Sequence, residues 1–129
     1  MNESILNTIK KLLGIAEDYP FFDLDIKTHI NTVFSMMHSF GATPPNGYRI
    51  TGSSEKWSDF LNGITYLDMV QSYIFFEVRL MFDPPTTSFT IESYRKLADQ
   101  LKWRLNISEL AFNPNAYDVL KDDDPEDED

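Results

Sequence analysis

Two histidines and one acidic residue in an apolar run are the side chains of this chain best suited to chemistry. His29 and His38 lie nine residues apart in a segment with helical spacing. They therefore point to opposite sides of the helix and cannot share a metal ion. A structural or surface role is favoured for both, and Asp25, one turn before His29, fits a local hydrogen bond better than a base and its orienting group. The chain has no cysteine, which excludes disulfides, a thiol nucleophile and cysteine-ligated metal sites.

Glu77 flanks the apolar stripe of the most hydrophobic segment. A buried acid can serve as a general acid, but no second acid, histidine or nucleophile converges on it in the sequence. A hydrogen bond to Tyr73, to a base of the next helix or to water is the favoured interpretation. The chain also has no nucleophile elbow, phosphate-binding glycine loop, zinc-protease motif or calcium loop. The sequence thus predicts no catalytic, cofactor-binding or metal site.

Glycines and prolines divide the chain into five helical segments that would position these side chains. Their expected bounds are 4–13, 23–40, 54–61, 64–82 and 88–106. The second segment is the clearest, because five apolar residues fall on one face at steps of four and three: Ile26, Ile30, Val33, Met37 and Phe40. Asp23 or Asp25 is expected to cap its start, and Ser54 to cap the short third helix. The fold class predicted is all-α, a small antiparallel bundle with three long and two short helices.

The charge is concentrated at the carboxyl end. The 129 residues, with a mass of 15.0 kDa, carry a net charge of −10, and residues 122–129 hold seven acids and one proline. Without them, 14 acidic and 11 basic residues leave a net charge of −3. The expected organisation is a helical domain over 1–107, an arm over 108–121 and a disordered acidic tail over 122–129. Clustered basic residues, which tight binding of nucleic acid requires, are not evident.

Two features exceed what a small bundle needs. The fourth segment has a second apolar stripe, which is either the inner side of a central helix or a contact with another subunit. Residues 110–120 are apolar but interrupted by Pro114, a pattern suited to an arm that docks along a partner. The candidate inter-subunit or tail-side residues, from this stripe and from the loop over 42–53, are Met69, Phe76, Leu80, Tyr48 and Arg49. The candidate arm residues are Leu110, Phe112, Tyr117 and Leu120.

Several stretches together resemble the head-tail connector (head completion or adaptor) proteins of tailed bacteriophages. They are WSDFL at 57–61, VRLMFDPPT at 78–86, LKWRLN at 101–106, KKLLGI at 10–15 and DIKTHIN at 25–31. The similarity covers about residues 4–107, and the Arg-Leu-x-Phe-Asp-Pro-Pro run is its most specific part. The tail beyond Asn106 departs from the family pattern.

The resemblance implies a structural virion protein without catalysis. Such connectors form a ring, typically of twelve subunits, beneath the portal protein and join the DNA-filled head to the stopper or tail-completion protein. Double-stranded DNA would pass through the ring without specific binding. The apolar character of the arm, and not the resemblance, makes it the expected contact with the portal. No cofactor and no membrane contact are implied. The expected location is the neck of the virion, and the host cytoplasm during assembly, since no signal peptide precedes the first helix.

Two alternatives remain open from the residues alone. A small acidic regulatory protein, such as a DNA mimic, would use the tail to bind a basic partner, in a complex that salt weakens steeply. It ranks lower because most of the charge lies in a short tail and not on helix faces. An enzyme ranks third, since it would need a pocket around Glu77 or His29.

Overall fold

The computed structural model describes residues 2–61 and 66–107, with the backbone alone at Ile107. Five helices make up this part of the chain: α1 (Ile5–Leu12), α2 (Asp23–Ser39), α3 (Trp57–Phe60), α4 (Leu67–Phe82) and α5 (Ser88–Ile107). Within these residues there is no strand, only an isolated backbone bridge between Ser4 and Lys56. The all-α prediction, with three long and two short helices, is confirmed.

The long helices form an antiparallel bundle with α4 at its centre. α2 and α5 both pack against α4, and α1 crosses α2 and α4. Phe22, which precedes α2, contacts Phe82 at the end of α4, so these two helices run in opposite directions. A five-residue connection ending at the start of α5 folds that helix back along α4. The predicted stop at the Pro84–Pro85 pair is confirmed, since α4 ends at Phe82 with Asp83 as its C-cap.

Apolar stripes of all five helices meet in one core. The stripe predicted for α2 is confirmed at four positions, Ile26, Ile30, Val33 and Met37, whose side chains have no exposure to solvent. Other helices and the connection after α2 contribute, among others, Ile5, Ile9, Ile50, Trp57, Tyr73, Ile74, Val78, Ala98 and Leu105. The exposed side chains of α5 include the charges of Glu92, Lys96 and Asp99, as its periodicity predicts.

Two helices end at glycines as expected. Gly14 and Gly41 both have φ near +80°, a conformation that costs glycine little. After α1 the amide of Ile15 donates to the carbonyl of Lys10 over 2.8 Å, and after α2 the amide of Ala42 donates to that of Met37 over 2.8 Å. These bonds satisfy carbonyls that the helix ends leave open.

The predicted caps of two helices are wrong. α2 begins after Phe22 with no side-chain cap, because the Asp23 carboxylate faces Lys10 of α1 instead. α3 begins after Lys56 and not after Ser54, and its start is closed by Asp59, whose Oδ2 accepts from the Lys56 amide at 2.9 Å. At α2 a contact with another helix engages the expected capping residue, whereas at α3 a local capping residue, Asp59, acts in place of Ser54.

Candidate interaction surfaces

The candidate catalytic side chains have structural partners. His38 Nδ1 lies 2.9 Å from Thr43 Oγ1, and that hydroxyl donates its proton to the Pro44 carbonyl, so the imidazole Nδ1–H is the donor to Oγ1. His29 lies in the first half of α2, with its ring 6.3 Å from that of Phe82. The histidines therefore do not meet. Among residues 2–61 and 66–107, no three acidic or histidine side chains come together as a metal site.

Glu77 accepts a hydrogen bond from Tyr73 over 2.9 Å, which is one of the three partners the sequence suggests. Burial raises the pKa of Tyr73, and the neighbouring Glu77 carboxylate raises that pKa further. Tyr73 is fully buried, whereas Glu77 is half-buried. The pair thus anchors a core tyrosine, and this geometry gives Glu77 a structural task.

Lys10 holds the connection between α1 and α2 in place. Its side chain has 0% exposure, and its Nζ donates to the carbonyls of Glu17 (3.0 Å) and Tyr19 (2.8 Å). The Asp23 carboxylate approaches to 2.8 Å. Asp23 Oδ1 has no hydrogen bond of standard geometry among the described residues, so this contact is an ion pair. The ammonium thereby fixes the backbone at Glu17 and Tyr19, where an exposed group of aromatic side chains begins.

Four aromatic residues form a surface cluster where α2 begins and α4 ends. We call Tyr19, Phe21, Phe22 and Phe82 the aromatic patch. The Tyr19 ring lies 5.1 Å from that of Phe21 and 5.6 Å from that of Phe22, and Phe22 lies 5.3 Å from Phe82. Phe21 is 77% exposed. Apolar surface of this kind on a small protein marks an interaction site more often than chance.

The second stripe of α4 faces mainly into the protomer. Met69 and Phe76 are half-buried and pack against the core. The Phe76 ring lies 5.0 Å from that of Tyr94 of α5 in an edge-to-face arrangement. Leu80 is also half-buried. α5 thus covers much of this second stripe. The sequence alone could assign the stripe either to the interior of the protomer or to a contact between subunits.

Tyr48 and Arg49 line a groove along the outer side of α2. The groove has a volume of about 820 Å³, and its other lining residues include Lys27, Asn31 and His38. Its floor is anchored, because the Asn31 side chain exchanges two hydrogen bonds with the backbone of Ile50, at 2.9 and 2.7 Å. The loop predicted over 42–53 is therefore held against α2.

Within that groove the Tyr48 hydroxyl is buried and has no hydrogen-bond partner among the described residues. The Tyr48 ring packs against Phe34 and Phe60, each at 5.2 Å. Burial, and then the charges of Asp59 and Glu55, raise its pKa to about 12. The side chain thus belongs partly to the core, where its hydroxyl is buried without a hydrogen bond among the described residues. Arg49 is exposed.

Another exposed aromatic lies on the carboxyl-terminal half of α5, beyond the exposed Phe89 at its start. Trp103 is 63% exposed and borders a shallow depression of about 450 Å³. Lys96, Asp99, Gln100 and Arg104 complete its lining. We call this set of five residues the Trp103 face.

The sequence missed three features of these surfaces: the Lys10 contacts, the aromatic patch and the Trp103 face. The run of aromatics in residues 19–22, within a connection otherwise rich in polar residues, is the signal that could have indicated the patch. The candidate arm residues Leu110, Phe112, Tyr117 and Leu120, and the acidic tail, lie outside the described residues.

Comparison with known families decides the class of protein. The sequence profile described as "Phage connector protein" matches residues 5–111. The chain belongs to this family. The resemblance drawn from the sequence is thereby confirmed, and the match assigns a structural role among virion components. No curated protein and no solved structure matches the chain.

In the described part of this connector protein, no helix combines the length and the apolar character that crossing a bilayer demands.

Proposed function

We propose that this connector protein forms a ring, of about twelve subunits by the family resemblance, between the portal and the tail-side stopper or tail-completion protein. The family match over residues 5–111 carries the proposal. The fold supports it: a rigid helical bundle bears exposed aromatic surface on opposite ends and, among its described residues, gathers no metal-ligating cluster. In this role the chain performs no catalysis. Its location is the neck of the virion.

The arm is the proposed portal contact. Leu110, Phe112, Tyr117 and Leu120 supply apolar anchors that a short segment could lay into a groove on the portal. Such an arm binds weakly per unit of area, because it must be ordered on binding, but repetition around a ring makes attachment effectively permanent.

The groove beside α2 is the proposed tail-side contact. Arg49 offers an exposed guanidinium, which a carboxylate or carbonyl oxygen of a partner could satisfy. Tyr48 contributes to the lining of the groove, while its hydroxyl is buried. Met69, Phe76 and Leu80 remain candidates for contacts within the assembly only through their exposed edges.

Double-stranded DNA is proposed to cross the ring without specific binding. Residues 1–121 carry a net charge of −3, and an acidic channel repels the phosphate backbone, so that DNA can slide. Salt-sensitive binding of DNA to the isolated ring would contradict this part of the proposal.

The test is native mass measurement and negative-stain imaging of the protein, alone and mixed with the portal protein of the same phage. We expect a ring, alone or stacked on the portal. A monomer that never joins the portal would refute the proposal, and the search would then turn to a basic partner protein.

A further inference from the structure

The aromatic patch and the Trp103 face lie at opposite ends of the bundle. Phe22 and Phe82 place the patch at the start of α2. Lys102, next to Trp103 in the chain, has its Nζ 5.6 Å from the ring of Phe40, at the end of α2. With 17 residues, α2 separates the two by about 25 Å. The two surfaces therefore cannot cover each other within one protomer.

Among residues 2–61 and 66–107, the exposed charges nearest to the two surfaces along the chain are predominantly opposite in sign. Exposed carboxylates adjoin the patch, one in the connection before it and one on each of the two helix ends that meet there: Asp18, Asp25 and Asp83. Arg79 pairs with Asp83 and offsets part of this charge. Exposed cations surround Trp103 within two helical turns, with Asp99 among them: Lys96, Lys102 and Arg104.

We infer that the aromatic patch of one protomer packs on the Trp103 face of the next copy. Phe21, the most exposed ring of the patch, would occupy the depression beside Trp103. The complementary charges single out a second copy as the partner, because they align the acidic rim with the basic one and oppose patch-to-patch pairing. The inference rests on the proposed ring and names the surfaces that build it.

This contact is of the type that a ring requires. It joins two different surfaces of the same chain, so each copy in a growing chain has one surface for each of its two neighbours. Such a head-to-tail contact gives a ring when the rotation between neighbours closes, and an open filament when it does not. A contact of one surface with the same surface of a second copy would by itself stop at a dimer.

The absence of cysteine allows a direct test by cross-linking. Phe21→Cys and Trp103→Cys variants are mixed under mild oxidation. Glu92→Cys replaces Trp103→Cys as the matched control, because Glu92 is exposed on nearly the same face of α5 three turns away. We expect at least about tenfold more disulfide-linked dimer from the first mixture, since a disulfide requires close approach of the two Cα atoms. A protein with both Phe21→Cys and Trp103→Cys should give a ladder of linked oligomers up to the ring.

The outcomes separate this inference from the proposed function. Rings with preferential cross-linking of positions 21 and 103 support both. Rings with equal cross-linking in both mixtures overturn the pairing and leave the connector role standing. A protein that stays monomeric even with the portal, and gives no preferential cross-link, overturns both.

A double-mutant cycle measures the same contact without a covalent bond. Phe21→Ala and Trp103→Ala remove largely exposed rings, so folding should be unaffected, and each should weaken self-association about 30-fold. If the rings touch, the double variant should be little weaker than either single one. Effects of the two changes that multiply independently would contradict direct contact.

Discussion

Lys10 shows how one charged side chain can be buried without loss of its partners. An ammonium has three hydrogens to donate, and here two carbonyls and one carboxylate surround it within 3.0 Å. A buried charge is tolerated only with such compensation. Its contacts reach seven to thirteen residues along the chain, so they fix a connection and not a helix turn.

Lys10→Met should therefore destabilise the fold. The change leaves two carbonyls and the Asp23 carboxylate without their partner, and we expect the free energy of unfolding to fall by about 3 kcal/mol. Urea denaturation followed by circular dichroism measures it. Lys11→Met, at the exposed next position of α1, is the control and should change stability by less than about 0.5 kcal/mol. Equal effects of the two substitutions would show that the ammonium contacts are unimportant.

Tyr48 and Tyr73 form a natural comparison of a hydroxyl without a partner and one with a partner. Tyr48→Phe removes a buried hydroxyl that has no partner among the described residues, so the free energy of unfolding should stay the same or rise by up to about 1 kcal/mol. Tyr73→Phe removes the donor to Glu77 and should lower it by about 1 kcal/mol. Denaturation of both variants at neutral pH tests the pair; destabilisation by Tyr48→Phe equal to that by Tyr73→Phe would contradict the contrast.

The raised pKa of Tyr48 also predicts a pH dependence. The folded protein holds the Tyr48 phenol proton to about pH 12, whereas the ordinary pKa of tyrosine is 10.0. The contribution of this raised pKa to the free energy of unfolding is fully present below about pH 10. It is lost as the pH rises from about 10 to about 12. Tyr48→Phe lacks this loss, so its advantage over the wild type should widen across that interval. Urea midpoints in the two proteins that fall in parallel would contradict the prediction.

The short helix α3 depends on tertiary contacts, among them those with the segment that contains α1. Four residues cannot form a helix alone in water. The amide of Ile5 donates to the Glu55 carbonyl over 3.0 Å, and the amide of Trp57 donates to the Glu3 carbonyl over 3.1 Å. The Trp57 indole then donates to Thr8 Oγ1 at 3.0 Å. The two helices thus act as one unit although about fifty residues separate them.

Trp57→Phe should loosen that unit. It removes the indole hydrogen bond and leaves space in the core, with an expected loss of about 2 kcal/mol in the free energy of unfolding. Trp103→Phe is the matched control, because Trp103 is exposed, and should change stability by less than about 0.5 kcal/mol. Thermal unfolding of both variants gives the comparison. Similar midpoints for both would argue that α3 adds little to the fold.

The periodic features of the elements were predictable, and the long-range contacts were not. The steps of four and three between apolar residues predicted α2, because an apolar stripe depends only on the spacing of residues along the helix. The cap at Asp23 was wrong because a tertiary partner, Lys10, engages that carboxylate. The cap at Ser54 was wrong because the helix begins two residues later and Asp59 closes its start. The burial of Lys10 depends on a backbone loop that returns to it, and the burial of Tyr48 on two other elements. No local pattern in the sequence indicates such long-range contacts directly.

The bundle and the segment after it are expected to act as separable parts. A chain that ends before Leu110 keeps the five helices of the described residues, so its helical circular dichroism should be largely retained, while attachment to the portal should be lost. A chain that ends at Lys121 lacks only the acidic residues and should still attach. Co-sedimentation with the portal measures attachment. If the shorter chain attaches as well as the full one, the arm is not the portal contact.

The contacts of the buried Lys10 with the connection between α1 and α2 affect assembly as well as folding. The backbone that carries Tyr19 is already immobilised in the free protomer, so its ordering cost, about 1–2 kcal/mol per residue, is met when the chain folds and not when subunits meet. A preorganised surface binds more tightly than a flexible one with the same contacts. Lys10 thus connects the interior of one protomer to the affinity between neighbours, although it lies out of reach of any neighbour.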